Sequence, residues 1–474
     1  MTNFDLTPEQ REAVWKILLQ SLEKFYTHTT DYRVAPALDI ADIKNAVAGD
    51  FDQPLEIQQA VEQILQGMEQ YTVHTPHPNY YGLFNPRANF PSILADTIIA
   101  YFNPQLAAWS HAPFAAEIEQ KLLLEFGKKM GYAEEECDGV FTTGGAEANL
   151  TAVLAALNHH FPDYANNGLR TLPRQPIIYC SHESHHSIVK AARIAGLGLN
   201  AVREIPVTPQ LQLSIPELTA AIEKDKTQGN YPLMIVATMG TTGAGSIDPI
   251  VEITAVARQH RAWLHADAAY GGAVALSGRY RHLLKGIAAA DSITFDAHKW
   301  LSVTMSCSLF LTRHKEILNK TFRVTADYMP KEAGSLHITD PFTHSIQWSR
   351  RFIGLKLYLS LLVFGWKGYE EAIDHSIDIG QQLKVKLTAA GWKIFNHTTL
   401  PVICFGKETY AQDPNEAMEE SQQILQDGKV WVSVYKIGSV NTLRACITNY
   451  ATTEDNLNTL MDALNPYHPA GLTP

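Results

Sequence analysis

The sequence predicts an α/β fold: a mostly parallel central sheet, a smaller α/β domain at the C-terminal end and a helical segment in front. Three features of the chain predict it. From about Gly139, runs rich in β-branched and aromatic residues alternate with stretches of helical period, which marks strand–helix–strand units. Ahead of that region the apolar residues recur only with helical spacing. After about Phe352 the chain turns helical, then closes with short strands and a last helix. The 474 residues are too many for one small core, so two or three domains are expected.

In chain order, Thr7-Pro8-Glu9 offers an N-cap followed by proline at the first helical position. The helix it opens should reach about Tyr26, with Val14, Ile17, Leu18 and Leu22 along one side. A second amphipathic helix is predicted over Leu55 to Gln70, and the Pro-rich stretch from Thr75 ends the region. An apolar stripe with no following strand has to be buried elsewhere. Residues 1–83 therefore read as a helical segment that packs on a partner subunit. Strands are predicted at Gly139–Thr142, Pro176–Cys180, Leu233–Met239, Ala262–Ala266, Ser292–Phe295 and Ser308–Thr312. Between them, helices are predicted at Glu147–Asn158, His186–Ala195, Ile215–Glu223 and Ile250–His260. This is the large domain, 84–352. The small domain, 353–474, should hold helices at Leu355–Gly365 and Tyr369–Gly391. Its strands fall near Leu400–Phe405, Val430–Val434 and Leu443–Thr448, and its last helix near Thr453–Leu464.

Composition narrows the function. A net charge of −11 without a basic stripe argues against a nucleic-acid partner. Cys137, Cys180, Cys307, Cys404 and Cys446 are odd in number and scattered, and they read as reduced core thiols. The start lacks a basic n-region, and the longest apolar run is about half the ~20 residues of a spanning helix. A cytoplasmic protein is expected.

In parallel sheets ligands sit at the carboxyl ends of strands, so post-strand residues carry the chemistry. Gly144-Gly145 lies between a strand and a helix start, where free N–H groups suit a phosphate, although the pair can equally be a plain turn. His182, Glu183 and His186 spell HExxH, which raises a zinc hydrolase as an alternative. That motif needs a helix interior, and here it straddles a strand-to-helix junction. Asp267 closes an apolar strand, where a carboxylate wants a cationic or N–H partner. Lys299 follows the next strand between His298 and Trp300, an apolar setting that can lower a lysine's pKa enough for Schiff-base chemistry. Together these are the parts of a pyridoxal-phosphate site: a phosphate cup, an aspartate for the ring nitrogen and a lysine for the aldehyde.

On these motifs, with Thr339–Phe352 and Leu443–Asn449, the chain resembles the group II pyridoxal-phosphate-dependent decarboxylases from about Pro76 onward. These include the aromatic-amino-acid, glutamate, cysteine-sulfinate and diaminobutyrate enzymes. The resemblance implies the aspartate-aminotransferase-like fold type I and a homodimer with the active site at the interface. It implies that Gly145 and Ala146 hold the phosphate through backbone N–H, with Asp296 and His298 close by. Relatives usually carry Asn where Asp296 stands, and a carboxylate there would repel the phosphate. His185 would stack on the ring, Ala269 would pack on its other face, and Asp267 would pair with the ring N–H. Thr242 would line the pocket and Lys299 would bind the aldehyde. Tyr328 matches the mobile-loop tyrosine that returns a proton to Cα. Phe84 matches the substrate-pocket stretch. Arg87 is an expected clamp for a distal acid, or an exposed loop arginine. Arg444 is an expected ligand for a substrate carboxylate, or part of a domain-level salt bridge. The implied reaction is decarboxylation of an L-amino acid to its amine. The nearest alternative is an aldehyde synthase or another carbon–carbon lyase of the same fold type, and Tyr328 speaks against the former.

Overall fold

The computed structural model describes residues 4–324 and 338–469. Its centre is a sheet of seven strands: β1 (Asp138–Thr142), β2 (Pro176–Ser181), β3 (Val202–Ile205), β4 (Tyr231–Thr238), β5 (Trp263–Asp267), β6 (Ser292–Asp296) and β7 (Ser308–Thr312). The spatial order is β1-β7-β6-β5-β4-β2-β3. Only β7 runs against its neighbours; the other strands share one direction, as the alternating pattern predicts.

These strands are apolar on both faces because helices cover both. Along β4, Met234 and Val236 face one core with Ala148, Ala152 and Ala156 of the helix Gly145–His160. Ile235 and Ala237 face the other, with Leu122 and Phe126 of the helix Pro113–Met130. The period of two along the strand thus divides its side chains between two helical layers. The five cysteines are unpaired and buried.

A second sheet has β8 (Lys393–Ile394), β9 (Val402–Gly406), β10 (Ser433–Ile437) and β11 (Val440–Cys446), antiparallel in the order β10-β11-β9-β8. The long helix Leu355–Ala389 leads into it. Two helices were expected there, and the run divides as expected at Gly365, whose φ 61° and ψ −177° are not helical and suit glycine. Tyr81 exchanges backbone hydrogen bonds with Trp431 and Cys446 (each 2.9 Å), so residues just before it lie against the small domain. The helices Pro8–Thr27 and Ile57–Tyr71 bury none of their residues, and Leu19, Leu22, Ile64 and Met68 stay exposed. Among the described residues, no helix is long and apolar enough to cross a membrane.

One buried ion pair ties the large domain to the start of the long helix. Arg350 Nη1 and Nη2 reach both oxygens of Glu119 (3.1 and 2.5 Å). Glu119 Oε1 also accepts from the N–H groups of Ile353 and Gly354, at 3.1 and 3.0 Å. Glu119→Leu strands a buried guanidinium and two N–H groups, and is expected to cost about 3–5 kcal/mol. Chemical unfolding should show this as a lower midpoint with unchanged slope. Adding Arg350→Met should recover most of the loss.

Candidate active site

The carboxyl ends of β4, β5 and β6 meet the amino end of the helix Gly145–His160. Asp267, the last residue of β5, is buried there. Its Oδ2 accepts from Asn149 Nδ2 at 2.9 Å and its Oδ1 from the Ala269 N–H at 3.2 Å. These donors offset part of the cost of burying the carboxylate. One oxygen still has lone pairs for a further N–H.

Lys299 follows β6 in a tight turn closed by its N–H on the Asp296 carbonyl (3.2 Å). Its Nζ lies 3.0 Å from Asp296 Oδ2 and 5.9 Å from the centre of the Phe84 ring. Asp296 Oδ1 accepts from Ser308 Oγ at 2.6 Å, so both oxygens of this buried group are engaged. His298 Nδ1 lies 3.0 Å from the Cys307 carbonyl oxygen and 3.2 Å from the Cys307 nitrogen, and its Nε2 stands 3.9 Å from Asp296 Oδ2. Burial pushes the His298 pKa down, opposed by Asp296.

The amino end of the helix Gly145–His160 fits an anion. Gly144 gives no side-chain cap, and the Gly145 and Ala146 N–H groups meet no acceptor among the described residues. Glu147 folds back to accept from Thr143 N (2.9 Å) and Thr143 Oγ1 (2.7 Å), which leaves those two donors free. Gly145 is required by close approach: a Cβ there would stand 2.9 Å from Asp296 Oδ2. The cup for a phosphate, the aspartate and the lysine therefore share one cleft.

His185 lies in the turn ahead of the helix Ser187–Ile194, with Nδ1 2.8 Å from Ser187 Oγ. Desolvation lowers its pKa, with Asp267 opposing and Lys299 reinforcing. Ala269 joins β5 to β6, its carbonyl accepting the Asp296 N–H at 3.2 Å. Phe84 stacks on Tyr270 (4.0 Å, 24°), and Tyr270 on Trp300 (5.0 Å, 15°). Over the Phe84 ring stands Arg444, its Cζ 5.1 Å from the centre. That guanidinium donates to the carbonyls of Gly243, Gly82 and Thr242 (2.8, 2.8 and 2.6 Å) and to Ser433 Oγ (3.1 Å). It is a domain clasp with one N–H left over, and Thr242 enters through its backbone.

Several expectations change. Arg87, expected as a clamp or an exposed loop arginine, is turned to the N-terminal helix: its Nη2 donates to the Tyr26 carbonyl (2.7 Å) and its guanidinium lies 3.9 Å from the Tyr26 ring centre. The HExxH string forms no metal site. The helix begins only at Ser187, Glu183 accepts from Tyr435, and no cluster fit for a metal occurs among the described residues. Tyr328 lies outside the described residues. Sequence reasoning missed Asn149, although it stands in the Gly-Gly motif, one helical turn after Gly145 and on the same face.

Residues 42–407 match the pyridoxal-dependent decarboxylase conserved domain. An aromatic-L-amino-acid decarboxylase of Bacillus atrophaeus is 28% identical over 395 residues, covering 82% of this chain and 80% of its own. An acidic amino acid decarboxylase, GADL1, of Bos taurus is 27% identical over 416 residues, with coverages of 84% and 79%. An L-2,4-diaminobutyrate decarboxylase of Acinetobacter baumannii is 26% identical over 457 residues, with coverages of 93% and 88%. Among solved structures, mouse CSAD in apo form superposes with a TM-score of 0.91 at 24% identity, covering 98% of this chain and 100% of that one. A 4-hydroxyphenylacetaldehyde synthase of Rhodiola rosea gives 0.86 at 21%, covering 98% of each chain. The chain belongs to the pyridoxal-dependent decarboxylase family; it is a carboxy-lyase of fold type I whose cofactor is pyridoxal phosphate.

Asp296 stands against this cofactor: its carboxylate would repel a phosphate, and its Oδ2 pairs with Lys299 Nζ at 3.0 Å. Asp296→Asn should tighten pyridoxal phosphate binding to the apoenzyme by about tenfold, the equivalent of about 1.4 kcal/mol. Fluorescence titration of the apoenzyme measures it; unchanged or weaker binding contradicts the repulsion.

Proposed function

We propose that the protein removes the α-carboxylate of an L-amino acid as CO₂ and releases the corresponding amine. The observation that carries this reading is the convergence of Asp267, Lys299 and the open N–H groups of Gly145 and Ala146 at adjacent strand ends. When bound, the cofactor supplies an aldehyde and an electron-withdrawing ring that takes up the electrons of the broken Cα–carboxylate bond. The residues of the chain do the rest. Gly145 and Ala146 hold the phosphate by backbone N–H, and the helix amino end favours its charge. Asp267 keeps a proton on the ring nitrogen through its negative charge. His185 would cover one face of the ring and Ala269 the other. Lys299 would hold the cofactor through its aldehyde. Tyr328, assigned from sequence, gives the proton that Cα needs in place of CO₂. The remaining N–H of Arg444, beside Phe84, faces the incoming substrate.

Two further parts of the reading concern assembly and place. One helix, Phe90–Phe102, leaves Phe90, Leu94, Ile98, Tyr101 and Phe102 exposed, and Leu362, Val363 and Phe364 are exposed as well. Apolar surface of this kind supports a homodimer. The unpaired cysteines support a reducing, cytoplasmic setting.

The decisive measurement is CO₂ release across the standard amino acids plus cysteine sulfinate and diaminobutyrate, with product identification. An amine in equal amount to CO₂ is expected, and Lys299→Ala should abolish it. Aldehyde with ammonia as the main product would replace this reading by the synthase. Phe102→Asp should weaken self-association by at least about tenfold in sedimentation experiments, since it buries a charge in an apolar contact.

A further inference from the structure

Behind Asp267 runs a chain of hydrogen bonds, buried except where it ends at His185, that no sequence motif announces. Trp263 Nε1 lies 2.8 Å from Ser292 Oγ, and Ser292 Oγ lies 2.8 Å from His265 Nδ1. His265 Nε2 is 3.0 Å from Asn149 Oδ1, which also accepts from Thr294 Oγ1 at 2.8 Å. Asn149 Nδ2 then donates to Asp267 Oδ2 (2.9 Å) and to Ser187 Oγ (2.8 Å). Ser187 in turn meets His185 Nδ1 through its Oγ (2.8 Å) and its N–H (3.2 Å). Trp263, His265, Asn149, Ser292 and Thr294 are all at most 1% exposed, so water cannot substitute for the links among them.

The proton positions follow from the two ends. An ionised Asp267 only accepts, so the Asn149 nitrogen must face it and the Asn149 oxygen must face His265. His265 therefore carries its proton on Nε2. Burial pushes its pKa down to about 4, against the pull of Asp267, so its Nδ1 is bare and accepts from the Ser292 hydroxyl. Ser292 is free to donate because it accepts from the Trp263 indole, which can only donate. On the other branch, Ser187 accepts from Asn149 and passes its own proton to His185 Nδ1. His185 then carries its proton on Nε2, the nitrogen that Ser187 does not use.

We propose that Asn149 is a positioning residue for the reaction: one amide, oriented by neutral His265, holds the Asp267 carboxylate by hydrogen bond and sets the tautomer of His185. This rests on Asp267 facing the ring nitrogen. The titratable groups around Asp267 are His265 on its own strand, His185 ahead of the next helix and the Lys299–Asp296 pair beyond β6. None of them is removed by changing Asn149, so a shift seen on changing it reports the lost amide.

Asn149→Leu should lower kcat by about tenfold or more while KM stays within about threefold. Without the Asn149 donor the Asp267 carboxylate loses one of its two hydrogen bonds, and hydrogen bonds to a charged form favour that form. The acid limb of pyridoxal phosphate affinity should move up by about one pH unit, as read by fluorescence titration of the apoenzyme. His265→Leu should reproduce both effects, and the double variant should add little to either. His265→Gln, which retains an N–H donor, should restore them in part. Ser187→Ala cuts only the His185 branch; it should lower kcat and leave the acid limb in place. A lowered melting temperature with the acid limb and kcat unmoved overturns the proposal. So do additive effects of Asn149→Leu and His265→Leu. Asp267→Ala separates the two readings: if it leaves affinity and its pH limb unchanged, the assignment of Asp267 itself fails. If it abolishes the limb while Asn149→Leu does not, only the relay fails.

Discussion

A carboxylate buried at the end of β5 is the constraint around which the centre of this protein is organised. Taking an ionised group out of water costs several kcal/mol unless donors replace the lost hydration. Asp267 obtains them from two directions, the Ala269 N–H in its own turn and the Asn149 amide from the helix Gly145–His160. The second is possible only because that helix packs closely, with Ala148, Ala152 and Ala156 against the sheet. Small residues on the helix face let the amide reach the strand end. A larger side chain at those positions would lift the helix and leave the carboxylate short of a donor.

The small domain enters the site through the turn after β4. Arg444 of β11 holds the carbonyls of Thr242 and Gly243, and Asn396 donates to the Ala244 carbonyl at 2.7 Å. Tyr435 of β10 packs on Gly243, where a Cβ would collide with its ring, and its hydroxyl reaches Glu183. The two domains therefore share hydrogen bonds at the rim of the cleft. Backbone carbonyls take up most of the Arg444 donors, which makes its charge a fixed feature of the cleft wall.

Much of this was legible in the sequence because it depends on period and on chain position. The alternation of strand and helix from Gly139 onward placed six of the seven large-sheet strands, and the post-strand residues Asp267 and Lys299 fell into one cleft. What escaped notice lacked a periodic signal. β3, Val-Arg-Glu-Ile, is a short edge strand with two charged residues among its four. The helix Phe90–Phe102 is apolar nearly all round, so no stripe stands out. Asn149 and His265 lie 116 positions apart, and nothing local in either motif says that they touch. Arg87 shows the converse failure. Its place in a matching stretch suggested a clamp, whereas its direction was decided by Tyr26, far away in sequence.

The two aspartates of the cleft show why residue type alone does not assign a role. Both are buried and both close a parallel strand, one strand apart in the sheet. Asp267 is held by neutral donors, so its charge is uncancelled and is available to a cation that arrives from outside. Asp296 is held by Ser308 and by the ammonium of Lys299, so its charge is already spent within the chain. The partner, more than the burial, separates them. For Lys299 to act as an amine it must give up that pairing and a proton with it. The carboxylate it leaves then lies beside Gly145, where the helix amino end offers partial positive charge. The same backbone groups that suit a phosphate also ease the cost of the abandoned aspartate, which places both demands on a single turn of helix.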